Sequence, residues 1–191
     1  MVRLIVEKIP PLYLCCDMIL TAQDIASASR FQNQRRRNEH LAWRRIVRRE
    51  LGNEVNIGYN DVGAPIVDTP NIYISIAHSA EMVAVAIANE RVGVDIEFAE
   101  RDFSFAANRY MSDAEQQLSD DIRWQAIVWC CKEACYKYLG AKGVDLRNDI
   151  VVKSYDSASK RMRVDIADGS TIEVEISIHD AKYIVATTVT K

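Results

Sequence analysis

Hydrophobic and polar positions alternate most cleanly over Asn71 to Ala77, where Ile72, Ile74 and Ile76 face away from Tyr73, Ser75 and Ala77. That period of two predicts a half-buried strand. Met82 to Ala88 and Arg91 to Glu97 read as two further strands, joined at Asn89-Glu90 as a hairpin. A β-rich stretch spans Leu4 to Leu14, with Leu12 to Leu14 continuing toward a strand. The period then changes. Trp43, Ile46, Val47 and Leu51 recur at helical spacing, which predicts a helix over Arg36 to Leu51 with Gly52 as its C-cap, preceded by a short helix over Ala22 to Ser29. Asn56 to Pro70 reads as loop. Ser112 to Glu115 has capping-box spacing and sets a helix start near Asp113. A longer helix over Ile122 to Leu139 buries Trp124, Ile127 or Val128, Cys131, Cys135 and Tyr138, and Gly140 ends it. The tail, Asp149 to Thr190, alternates through three or four antiparallel strands, with a tight turn at Asp168-Gly169. Mixed rather than strictly alternating elements predict an α+β fold.

Composition narrows the class without naming it. The chain has 191 residues and a net charge of −3. That length suits one large domain or two small ones fused, and that charge gives no general attraction to nucleic acid. Basic residues cluster only at Arg35-Arg36-Arg37, Arg44, Arg45, Arg48 and Arg49. These form either a solvated helix face or a surface for a phosphate or an acidic protein. No apolar run reaches the roughly 18 residues a membrane span needs. The apolar N-terminus is broken by Glu7, Lys8, Pro10, Pro11 and Asp17, unlike a signal peptide, so the expected compartment is the cytoplasm. Cys15, Cys16, Cys130, Cys131 and Cys135 are odd in number and do not form a disulfide framework. A zinc site with His78 lacks a Cys-x-x-Cys knuckle, and the helical stripe accounts for Cys131 and Cys135 as core.

Candidate chemistry begins at Val92 to Glu97. On a strand, Val92, Val94 and Ile96 share one face, and Gly93, Asp95 and Glu97 share the other. Two carboxylates so held repel unless a cation stands between them, and hard divalent cations prefer oxygen. Taken alone, the pair better fits an exposed acidic strand end. On the long helix, Trp129, Glu133 and Lys137 fall at i, i+4 and i+8, with Lys132 beside them. Glu133 and Lys137 alone would be an ordinary surface ion pair. If the two faces meet, three carboxylates and two ammonium groups converge, the equipment for metal-assisted transfer at a phosphate. A lone His78 closing a strand fits a structural role more readily than a functional one.

The pattern Gly93-Val-Asp-x-Glu97, a spacer, then Trp129-x-x-Lys-Glu-Ala-x-x-Lys137 resembles the paired signature of the 4′-phosphopantetheinyl transferase superfamily, in its larger, surfactin-synthetase-activating type. Arg109 to Glu115 is similar to the Arg-Phe-Phe-Ser-x-x-Glu segment of that family, and Ile74 to Ser79 to its Ser-x-Ser-His-Ser segment. The resemblance covers about Ile72 to Val144. It implies two similar α/β halves with pseudo-twofold symmetry, residues 1–90 on the coenzyme A side and 91–191 carrying metal ligands and catalytic helix, working as a monomer.

The resemblance also implies roles. Asp95, Glu97 and Glu133 would hold Mg²⁺. Glu133 would help remove the proton of the acceptor serine, and Lys137 would stabilise the departing 3′,5′-ADP, with Lys132 nearby on the phosphates. His78 and Ser79 would contact coenzyme A, as would the loop at Gly63. The acceptor would be an apo-acyl or peptidyl carrier protein, as in fatty acid biosynthesis, with neither nucleic acid nor membrane involved. One position departs from the family: Gly63-Ala64-Pro65 stands where Gly-Lys-Pro is usual, so a phosphate-facing cation is missing. A relative that binds coenzyme A or a carrier protein without transfer is the alternative.

Overall fold

The computed structural model describes residues 1–11 and 19–189. Leu12 to Leu14, expected to continue a strand, and the pair Cys15-Cys16 lie outside the described residues. The architecture is mixed α/β, with antiparallel sheets covered by two long helices. Strands β1 (Arg3–Lys8), β4 (Tyr73–Ser79) and β5 (Met82–Ala88) form a three-stranded sheet in the order β1-β5-β4. Helix α1 (Ala22–Ala28) and helix α2 (Gln34–Leu51) lie between β1 and a small hairpin of β2 (Ile57–Tyr59) and β3 (Pro65–Val67). That hairpin falls inside the stretch expected to be loop. Its strands have only three residues each, too few to show a period.

Strand β6 (Val94–Phe98) opens a five-stranded sheet in the order β6-β10-β9-β8-β7, with β7 (Ile150–Asp156), β8 (Arg161–Ile166), β9 (Thr171–His179) and β10 (Tyr183–Thr188). The tail thus supplies four strands. Between β6 and this run lie α3 (Ala107–Tyr110), α4 (Asp113–Gln116) and α5 (Trp124–Leu139). Ser112 caps α4 with a reciprocal capping box to Glu115, as its spacing predicts. Helix α5 begins at Trp124, and Ile122, expected to open it, is 99% exposed ahead of it.

The expected hairpin of β5 and β6 does not form. Strand β5 pairs with β1 and β4, whereas β6 pairs with β10. The short connection at Asn89-Glu90 carries the chain from one sheet into the other. All seven residues of β5 are buried, so it is a central strand with both edges taken. Where β6 passes beside β4, serine hydroxyls replace a backbone ladder. The Val94 N–H donates to Ser75 Oγ at 3.0 Å and the Phe98 N–H to Ser79 Oγ at 3.1 Å. One hydrophobic cluster crosses this junction, joining Ala77, Ala84 and Ala86 of the first sheet to Val94, Ile96 and Val185 of the second. Small alanines in β5 let the layers approach closely.

Helix α2 is anchored from beneath. Asp24 of α1 is fully buried and binds Arg44 at 2.8 Å and Arg48 through a short ion pair. Desolvation raises the Asp24 pKa, but hydrogen bonds from Arg48, Thr21 and Arg44 outweigh it and hold the group well below the usual carboxylate range. Arg49 is engaged by Glu7 and Glu50. Much of the arginine-rich helix is therefore committed within the fold rather than spread on a solvent face. Cys130, Cys131 and Cys135 are free thiols with no exposure, packed in the core under α5.

Candidate active site

The site grows from the approach of α5 to β6. A Cβ on Gly93 would stand 2.0 Å from the carbonyl oxygen of Ala134 and 2.8 Å from the Tyr138 nitrogen, so only a residue without a side chain permits this contact. Gly93 is held from its other side by Thr188, whose hydroxyl accepts the Gly93 N–H at 2.8 Å. The faces divide as the strand period predicts. Val92, Val94 and Ile96 enter the core at the sheet junction, and Asp95 and Glu97 turn toward the helix.

These carboxylates do not form an exposed acidic strand end: Asp95 is 6% and Glu97 8% exposed. Lys137 is not paired with Glu133 along the helix surface. Its Nζ donates to Asp95 Oδ1 at 2.7 Å and to the Val94 carbonyl at 3.1 Å. The Trp129 indole N–H donates to Glu97 Oε1 at 2.9 Å, and the Ser79 hydroxyl to Glu97 Oε2 at 3.1 Å. Trp129 is itself fixed by an edge contact with the Tyr110 ring at 5.0 Å. Strand β4, strand β6 and helix α5 thus meet at these side chains.

Electrostatics follow from this crowding. Desolvation and then Asp95 push the Glu97 pKa up, against the opposing pull of Arg101. Desolvation, Asp95 and Glu97 raise that of Glu133, against Lys137. Asp95 thus acts on both Glu97 and Glu133 through a partly dry interior, against the local cations Arg101 and Lys137. The Oδ2 atom of Asp95 is buried without a hydrogen-bond partner. Among the described residues no three His, Cys, Asp or Glu side chains are already gathered as a metal cage. Lys137 stands on Asp95 instead.

Beside the carboxylates runs an open cleft of about 610 Å³, lined by Arg35 and Arg36 of α2, His78 and Ser79 of β4, Glu97 of β6 and Arg101 of the loop after it. The half-exposed His78 ring lies 3.6 Å from Glu39, which also binds Arg35 at 2.8 Å. Partial burial lowers the His78 pKa, the Glu39 carboxylate opposes this, and Lys137, Arg35 and Arg36 add to the lowering. On the far side of Lys137, a smaller cavity of about 290 Å³ is lined by Gly63, Ala64, Ser75, Tyr136 and Lys137. The smaller cavity reaches Lys137, and the cleft reaches Glu97 and Ser79.

Glu97, His78 and Ser79 thus border the cleft, Gly63 and Lys137 border the smaller cavity, and Asp95 and Glu133 adjoin them through Lys137 and Glu97. Lys132 borders neither space. Its side chain has no exposure, and its Nζ binds Glu115 at 2.7 Å and the Leu146 carbonyl at 2.9 Å. One residue along a helix turns the side chain by about 100°, which takes Lys132 away from the face of Glu133 and into the core. Its expected place on the phosphates is corrected accordingly. Arg101 and Glu39, by contrast, border the cleft without being foreseen. Arg101 lies in an aperiodic loop four residues after Glu97, where no pattern marks it.

Fold and cleft define a mixed α/β protein with a buried acidic centre faced by cations. The family description of the 4′-phosphopantetheinyl transferase superfamily matches residues 91–188, and the chain belongs to that superfamily. The match takes in β6, α5 and the strands behind them, and so Asp95, Glu97, Trp129, Glu133 and Lys137. The superfamily transfers phosphopantetheine from coenzyme A to carrier proteins. No curated protein matches the chain. Among the described residues no helix is long and apolar enough to cross a membrane.

Proposed function

We propose that this chain transfers the 4′-phosphopantetheine group of coenzyme A to a serine of an apo-acyl or peptidyl carrier protein, with Mg²⁺. The observation that carries the proposal is the Asp95–Lys137 pair at the sheet junction, with Glu97 and Glu133 raised in pKa beside it. The donor set suits a hard cation: all oxygen, mutually repelling, and including the unpartnered Oδ2 of Asp95. Asp95, Glu97 and Glu133 would hold Mg²⁺, which when bound polarises the phosphates it touches.

The residues of the chain do the rest. Arg35, Arg36, His78 and Ser79, with the backbone at Gly63, orient coenzyme A along the cleft. Glu133, ionised, takes the proton of the acceptor serine. The serine oxygen bonds to the β-phosphorus, the phosphoanhydride bond breaks, and 3′,5′-ADP leaves with the electron pair, stabilised by the ammonium of Lys137. On this reading residues 1–90 and 91–191 are the two halves, each a long helix on an antiparallel sheet. We infer a pseudo-twofold relation between them and action as a monomer from the family resemblance, and a cytoplasmic location from the sequence.

The decisive experiment mixes the purified protein with coenzyme A, Mg²⁺ and apo-carriers of fatty-acid and peptide-synthetase types, and follows intact carrier mass. A phosphopantetheine adduct, lost on Asp95→Ala with the fold intact, is expected. No adduct on any carrier overturns the proposal.

A further inference from the structure

Glu97 carries a cation that the transfer chemistry above does not use. Arg101 Nη1 lies 3.3 Å from each Glu97 carboxylate oxygen. Those oxygens are already served by Trp129 and Ser79, so Arg101 adds charge more than it completes a hydrogen-bond set. Its side chain is 59% exposed, with the guanidinium 5.1 Å over the Phe103 ring. Lys137 does the same for Asp95, but at 2.7 Å and tied to the Val94 carbonyl. Two cations of the chain itself thus offset the acidic face.

A divalent ion on Asp95 and Glu97 would repel both. Lys137 is half-buried and anchored. Arg101 is long, mainly solvated, and borders the same cleft as Arg35, Arg36 and His78. The loop Gly63-Ala64-Pro65, which lines the smaller cavity beside Lys137, offers no side-chain cation to a phosphate. We propose that Arg101 is an exchanging counterion: it rests on Glu97 in the ion-free protein and moves to a coenzyme A phosphate when an ion takes Glu97. It thereby supplies a positive charge that Ala64 does not. This rests on the transferase reading, and makes Arg101 the residue that links metal affinity to coenzyme A affinity.

The test uses the full chain and two binding measurements. Mn²⁺ is titrated and free ion followed by electron paramagnetic resonance, without coenzyme A. Coenzyme A is then titrated calorimetrically with Mn²⁺ present. In Arg101→Gln, Mn²⁺ is expected to bind about three- to fivefold more tightly, because a competing charge is gone. Coenzyme A is expected to bind about tenfold more weakly, because a charge-assisted phosphate contact is gone. Arg101→Lys should fall between. Unchanged Mn²⁺ affinity overturns the counterion role, and unchanged coenzyme A affinity overturns the exchange. Wild-type protein that binds neither Mn²⁺ nor coenzyme A removes the transferase reading itself, a separate failure.

Discussion

Gly93 and Ala134 touch backbone to backbone: a methyl group on Gly93 would stand 2.0 Å from the Ala134 carbonyl oxygen. Neither atom is the free end of a flexible chain, so strand and helix must part to admit a side chain. Gly93→Ala is therefore expected to cost about 1–3 kcal/mol by overpacking. The larger effect falls on the site, because Glu133 and Lys137 directly precede the two α5 residues in contact, Ala134 and Tyr138. A displacement of about 1 Å there should lower transfer by roughly 100-fold. Urea unfolding and the carrier-mass assay check the two parts. A variant with wild-type stability and rate would mean the close approach positions nothing.

The buried pair of Lys132 and Glu115 holds the opposite side of the same helix. Glu115 accepts from Lys132 Nζ at 2.7 Å, the Val152 N–H at 2.8 Å and the Ser112 N–H at 2.7 Å, tying α4, α5 and β7 together. Desolvation lowers the Lys132 pKa, while Glu115 draws it back up. Removing either partner strands a charge in the core, so Lys132→Met and Glu115→Gln should each cost about 3–5 kcal/mol. The double variant should lose less than the sum, by more than about 1 kcal/mol. The measurement is a double-mutant cycle by urea unfolding, with KM for coenzyme A alongside. A raised KM with full stability in Lys132→Met would instead return Lys132 to the phosphates.

The sequence makes some of this site legible and hides the rest for physical reasons. Asp95 and Glu97 declare a shared face because a strand alternates strictly, and Trp129, Glu133 and Lys137 do so because a helix repeats near four. Both signals are local. That β6 lies beside β4 through Ser75 and Ser79 hydroxyls, and pairs with β10 rather than β5, depends on contacts distant in sequence. Apolar runs separated by a short turn look alike whether the chain folds back or crosses to another sheet. Lys132 misleads for a related reason: a lysine within a functional motif reads as a free cation, and only the packing shows Glu115 waiting for it. The arginines of α2 divide the same way, since Arg44 and Arg48 are claimed by Asp24 from another helix.

His40 gives a pH signature to the anchoring of α2. It is buried, with Nε2 2.7 Å from Ser27 Oγ and its ring against Phe31 and Trp43. Desolvation, then Arg44, lower its pKa from 6.5 to about 4, with Arg30 adding to the fall and Asp24 opposing it. Between those values the unfolded chain binds a proton that the folded chain refuses. Stability therefore rises with pH through this window and is lost as pH falls from about 6.5 toward 4. The loss attributable to His40 is on the order of 3 kcal/mol. Urea unfolding at steps from neutral pH to acid should show it, and His40→Gln should flatten that part of the slope. Because α2 carries Arg35 and Arg36 to the cleft, coenzyme A binding should weaken over the same range in the wild type. A His40→Gln variant that keeps the wild-type pH slope would assign the acid sensitivity to another group.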